Sequence, residues 1–198
     1  MRTILMTSAV LAASALAGCD STTTLTSAEQ DYNEAAMAYN DMRSDVLALP
    51  LSTSADMPNR GTATYSGYST LLMDTPTADT ALVGDARIVA NFDADSLTGD
   101  LTNFVGSVNG GESQAFNGSI ALRNGEIGAT TASRLTADVN GSLSGGGNTV
   151  SINGDVAGDF RSDGQLNAAA LTASESAATD FLLNGREYSG DLGIVAQR

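Results

Sequence analysis

The chemistry open to this chain comes from carboxylates and amides. Its 198 residues carry 23 Asp and Glu against nine Arg, with one Cys and neither His nor Lys. Without His, neither Ser-His-Asp nor Cys-His nucleophilic catalysis can be assembled. With one Cys, the usual zinc and haem ligand sets are also missing. The most metal-like spacing is Asn91, Asp93, Asp95 and Asp100. Asp93-Ala94-Asp95 sets two oxygens at the interval of a calcium loop, but Leu97 and Thr98 stand where an EF-hand needs a polar ligand and a Gly. The stretch reads instead as a tight hairpin turn. A glycosidase needs two carboxyls at a fixed separation across a cleft, whereas these acids alternate with apolar residues, as on the wet face of a strand. Asn-Gly-Ser at 117 and 140 matches a glycosylation acceptor but falls inside strand-like segments. No catalytic residue, metal site or cofactor is expected, and the chain reads as a non-enzyme. Cys19 is left as the one reactive group, a thiol with no partner for a disulfide.

The surroundings of Cys19 explain it. Arg2 precedes a mostly apolar run over 4–16, thirteen residues long. That is short of the roughly twenty needed to span a bilayer but suits a secretory signal. The run ends Leu16-Ala17-Gly18-Cys19, which resembles the lipobox of bacterial lipoproteins. The resemblance implies cleavage before Cys19 and lipid on its sulfur and new amino group. One acyl chain gives only marginal attachment, on the order of 10⁴ M⁻¹, whereas several anchor a protein stably. The chain thus divides into a signal peptide (1–18), a lipidated tether (19–60) and a main domain (61–198). The formal charge of −14 repels phosphate backbones, so nucleic-acid binding is not expected. It also keeps a secreted protein soluble.

Thr26-Ser27-Ala28-Glu29 has capping-box spacing. Ala28, Tyr32, Ala35, Ala36, Tyr39, Met42 and Val46 follow at helical intervals, predicting an amphipathic helix over about 27–47 that Pro50 stops. Its stripe is narrow, so weak packing on the domain is expected. Tyr32, Tyr39 and Met42 could alternatively face a partner. Residues 51–60, with Pro58 and small polar side chains, read as an exposed linker.

From Gly61 the pattern has a period of two. The clearest stretch is 149–160, with Val150, Ile152, Gly154, Val156, Gly158 and Phe160 on one face and Ser151, Asn153, Asp155, Ala157 and Asp159 on the other. It holds a five-residue unit, apolar-x-Gly-polar-apolar, at 152–156 and 156–160. The unit recurs at 97–101, 104–108, 116–120, 139–143 and 188–192. Gly weakens an ordinary strand, so its repeated use on the apolar face fits a sheet that curves sharply around a narrow interior. Eight segments alternate, about 61–73, 84–93, 96–105, 114–123, 133–143, 148–160, 165–173 and 187–196. Inward sets include Ala63, Tyr65 and Leu71; Ile88, Ala90 and Phe92; Phe116, Ile120 and Leu122; Leu135, Val139 and Leu143; and Leu192 and Ile194. Asn109-Gly110-Gly111, Asn124-Gly125, 145–147 and Asp163-Gly164 carry hairpin chemistry. Residues 174–186 leave a helical turn, a strand extension or a lid open. The fold class is all-β: an antiparallel, eight-stranded, up-and-down soluble β-barrel behind one amphipathic helix. A membrane barrel would need an outward apolar face and aromatic girdles, which five Phe, five Tyr and no Trp do not supply.

A lipobox, a short tether, Gly61-Thr62-Ala63-Thr64-Tyr65, the repeated Gly units and a closing Gly190-Asp191-Leu192-Gly193 together resemble the β-barrel domain of transferrin-binding protein B and its surface-lipoprotein relatives, over about 60–198. The family's late Gly-x-Phe-x-Gly-Pro pattern is met only as Gly158-Asp159-Phe160. There is room for one barrel and no handle domain, so the resemblance implies a fold and a cell-envelope site, and no transferrin-binding residue carries over. It points to the outer membrane, although Asp20 resembles an inner-membrane retention signal of some bacteria. The expected function is a monomeric, lipid-anchored binding module whose loops meet an extracellular or periplasmic protein or small ligand; the ligand-binding residues and the ligand are unknown. A structural envelope lipoprotein is the alternative, because the Gly/Asn/Ser turns lack Arg, Trp and Tyr anchors.

Overall fold

The computed structural model describes residues 25–128, 133–164, 166–174 and 179–198. One helix, α1 (Ser27–Ala48), precedes β1 (Thr62–Met73), β2 (Thr80–Asn91), β3 (Ser96–Ser107), β4 (Gln114–Ile127), β5 (Arg134–Gly145), β6 (Asn148–Ser162), β7 (Leu166–Ser174), β8 (Asp180–Leu183), β9 (Arg186–Tyr188) and β10 (Gly190–Gln197). Neighbours pair antiparallel from β1 through to β7, then β7 with β10 and β10 with β1, which closes an eight-position barrel. Closure leaves little free edge to recruit another chain: among the described strands only the three-residue β9 pairs on one side alone, with β8.

The two extra strands are continuations. β7 pairs with β6 from Ser162 to Ala157, and β8 takes up the same side of β6 from Asn153 to Val150. β7 and β8 therefore share one barrel position, as do β9 and β10, which run back along them. Of the options open for 174–186, a strand extension is what forms over Asp180–Leu183, followed by a two-residue turn at Asn184-Gly185 with both φ positive (53° and 79°). Residues 175–178 lie outside the described residues.

The inward sets expected above are all buried, and the lumen is filled by side chains. Tyr65, Phe104, Phe160 and Phe181 are the largest. Phe160 packs against Tyr65 and Phe92, with ring centroids 5.5 and 5.8 Å away. Inward Gly sits across from a large residue of the next strand: Gly99 opposite Ile88, Gly118 opposite Leu143, Gly141 opposite Ile152 and Gly158 opposite Leu171. Gly154 keeps the expected parity, between buried Ile152 and Val156 and opposite Val139, but is half-exposed. Three of these positions admit only Gly: Gly118 has φ +114°, a Cβ on Gly141 would lie 2.5 Å from the Ile120 Cα, and a Cβ on Gly158 would lie 2.6 Å from the Leu171 Cα. The outward side chains of the middle strands, Asp100, Ser119, Asp138 and Asp155, are exposed. An apolar inside with a polar outside is the reverse of a membrane barrel.

The helix is where expectation and structure part most. Its cap is as read: Glu29 N donates to Thr26 Oγ1 (3.2 Å) and Thr26 N to Glu29 Oε2 (2.7 Å). Its packing is specific. Tyr39 joins Val83, Val105 and Val195 in a second apolar cluster on the barrel's outside, flanked by Tyr32, Met42 and Tyr68. A Cβ at Gly67 would meet the Met42 sulfur at 2.7 Å, and the Tyr39 hydroxyl fills the space a Cβ at Gly193 would need. The Tyr32/Tyr39/Met42 face is therefore used on the barrel. The segment after it is no free linker either. The Arg161 guanidinium donates to the Leu47 and Leu49 carbonyls (3.3 and 2.9 Å), satisfying orphan groups at the helix end. Ser52 N donates to the Phe160 carbonyl, Ser162 N donates to that of Pro50, and Met57 packs on the core, so residues 50–61 strap one end of the barrel. Within the strap, the Thr53 amide and hydroxyl hold the Asp56 carboxyl below its usual range.

Burial pushes the Tyr65 phenol up to about 12 from 10.0, with Arg198 opposing. A neutral phenol favoured by the fold contributes stability that is present below pH 10.0 and lost as pH rises through about 12. The stability difference between wild type and Tyr65→Phe should therefore fall by about 2 kcal/mol between those pH values. Denaturant titrations across that range check it, and a constant difference would contradict it.

Candidate functional site

Cys19 lies outside the described residues. The Asp93/Asp95 stretch forms the turn that was expected. Asp93 N donates to Asn91 Oδ1 (3.0 Å), the Asp93 carboxylate accepts from Gly61 N (3.0 Å), and Asp95 turns the chain with φ 47°. Its oxygens hold backbone. Among the described residues, no three Asp, Glu, Cys or His side chains come together as a metal would require. Asn117 and Asn140 both lie on the barrel exterior, in β4 and β5.

The interior is filled by side chains, which leaves the outer surfaces and the two ends. The ends of the barrel differ. One is covered by the 50–61 strap. The other carries the β1–β2, β3–β4, β5–β6 and β8–β9 connections, and these are tied to one another. The Thr75 hydroxyl contacts the Ala78 carbonyl and, at 2.6 Å, the Asn109 side-chain amide. Gly110 N donates to the Asp79 carbonyl (3.2 Å), Asn109 N to Thr80 Oγ1 (3.2 Å) and Asp74 N to the Ser189 carbonyl (2.9 Å). Between the neighbouring β5–β6 and β8–β9 hairpins, Thr149 N donates to Asn184 Oδ1 (2.8 Å) and Asn184 Nδ2 to Asn148 Oδ1 (3.0 Å). On this frame Arg186 stands over the Tyr188 ring, 5.4 Å from its centroid. Arg186 is exposed and Tyr188 half-buried against the core. Asp74, Asp79, Glu112 and Glu187 are exposed on the connections of the same end.

Arg186 and Tyr188 form an Arg–Tyr pair on the rim that reading the turns in isolation missed. The signal was there: Asn184-Gly185 demands a hairpin, and Arg and Tyr two residues apart on the strand leaving it share a face. A cleft of about 530 Å³ runs between α1 and the barrel, lined by Tyr32, Tyr39, Arg43, Leu72 and Asp191. Tyr39 is consumed there in packing, which leaves the rim as the better-furnished surface.

No known protein family, characterised protein or solved structure matches the chain. Among the described residues no helix is long and apolar enough to cross a membrane.

Proposed function

We propose that this is a lipid-anchored protein of the bacterial cell envelope, a non-enzyme that meets its partner with the rim carrying Arg186 and Tyr188. The observation that carries this reading is the cross-tied rim. Loops fixed in advance lose little entropy on binding, and plain spacer turns would not need ties between hairpins remote in sequence. Arg and Tyr are the residues that dominate binding hot spots. The acids on the connections of the same end favour a partner that brings cationic groups to the periphery. The likeness to the single barrel of transferrin-binding protein B relatives, the lipobox and the apolar run before it support the envelope site, with the outer membrane preferred.

Two experiments test it. Affinity capture from envelope extracts should give a saturable partner. Arg186→Ala with Tyr188→Ala should weaken it at least about 30-fold, the effect of losing a hot spot worth about 2 kcal/mol. Unchanged capture by the double variant would remove the rim from the account, and repeated blanks would favour a structural lipoprotein. Separately, cells fed a palmitate analogue should label the wild type, and Cys19→Ala should be unlabelled and released or uncleaved. An unlabelled wild type would end the anchor proposal.

A further inference from the structure

The chain contains six Asn-Gly pairs, at 109, 117, 124, 140, 153 and 184. Asn-Gly is the dipeptide most open to spontaneous deamidation, because Gly puts no side chain in the way of its own amide nitrogen. That nitrogen gives up its proton to solvent and attacks Cγ of the Asn. The bond from Cγ to Nδ2 breaks, ammonia leaves, and a five-membered succinimide forms. Water then opens the ring at either carbonyl, leaving aspartate or isoaspartate. Nothing is oxidised or reduced, and water is the only co-reactant.

All six Asn are exposed, so access does not separate them. Anchoring does, because the side chain must swing its Cγ onto the next nitrogen. Asn109 is held at Thr75 (2.6 Å). Asn124 Nδ2 donates to Asp138 Oδ2 (2.7 Å). Asn140 Nδ2 donates to Asn153 Oδ1 (2.8 Å), which fixes both. Asn184 is held twice, by Thr149 N and at Asn148. Among the described residues, the Asn117 side chain makes no such bond. Its backbone is paired on one side only, with Ser144 of β5. The β3–β4 ladder passes from Leu101↔Ile120 to Phe104↔Phe116, so residues 117–119 face a bulge of two residues and lose regular pairing on that side. Gly118, the attacking residue, holds φ +114° there.

We infer that Asn117 is a built-in deamidation site, the one Asn-Gly of six that the fold leaves free to convert. Its conversion adds a negative charge to the outer face of β4. The isoaspartate form also lengthens the backbone by a methylene beside the Asn117↔Ser144 pair.

Peptide mapping of the full chain after incubation in mildly alkaline buffer tests this. With no Lys, trypsin cuts only after Arg. Asn109 and Asn117 fall in peptide 88–123, Asn124 in 124–134, Asn140 and Asn153 in 135–161, and Asn184 in 162–186; fragment spectra separate the sites that share a peptide. The same chain unfolded in urea gives each site's unprotected rate. Asn117 should convert several-fold faster than any other site in the folded chain and show the smallest protection relative to urea. Thr75→Val should raise the rate at Asn109 and leave Asn117 unchanged. Faster or equal conversion at any of the other five sites, no conversion at Asn117, or no response at Asn109 to Thr75→Val would overturn the inference.

Discussion

Truncating Phe160 to Ala will lower the unfolding free energy by about 3–5 kcal/mol, the range for a large aromatic removed from a well-packed core. Phe160 is fully buried and packs, rings tilted, against Tyr65 and Phe92. Its backbone is also the junction of three elements, since its amide donates to the Ser133 carbonyl and its own carbonyl accepts from Ser52 N. Collapse into the cavity would drag the strap with it, so relaxation can recover little. Urea titration measures the loss. Leu72→Ala, at an exposed position, serves as the comparison and should cost under about 0.5 kcal/mol. Similar midpoints for the two variants would mean the lumen is not packed as described.

The second large effect is steric. Gly158→Val should cost about 3 kcal/mol, the upper end of overpacking. The obstruction is backbone, with the Leu171 Cα at 2.6 Å and the Ala170 carbonyl carbon at 2.7 Å from where the new Cβ must go. A flexible side chain could move aside; two paired strands cannot without losing ladder bonds. Ala157→Val, one residue away on the outward face, places a β-branched side chain where strands favour it and should change stability by less than about 0.5 kcal/mol. Equal effects at 157 and 158 would put the Gly positions outside the curved, close-contact geometry of a barrel.

Most of the barrel was legible because its two faces meet different media. Alternation identified β1, β3, β5 and β6 to within a few residues, and the Gly units identified curvature, since a flat sheet has no use for an inward Gly opposite a Leu. The fit of the helix was missed because part of the exterior is apolar. Leu82-Val83, Phe104-Val105 and Ile194-Val195 are consecutive apolar pairs that break a period of two. Each second residue points outward under α1, where Val83, Val105 and Val195 form the patch that receives Tyr39. The register also shifts between Val83 and Asp85, so the alternation over 84–93 does not extend back to Thr80, where β2 begins. Doubled apolar residues in three strands were the sign that part of the exterior is covered, and they make the helix a fitted element. The strap at 50–61 was illegible for a different reason. Its backbone bonds to Phe160 and Ser162 leave no periodic trace in small polar side chains. At the candidate site, the hairpin dipeptide was readable, whereas the ties between loops more than thirty residues apart, such as Thr75 to Asn109 and Thr149 to Asn184, exist only once the barrel closes.

On the proposed function, the cross-tied rim, and not the strapped end, meets the partner. Site-specific photo-crosslinking in intact cells tests it most directly, with a photoreactive residue at Glu187 on the rim and, in a separate variant, at Ser54 on the strap. Both positions are exposed, so neither substitution disturbs the core. A discrete adduct from position 187 and none from position 54 is the predicted result. Adducts from 54 alone, equal adducts from both, or none from either would contradict it.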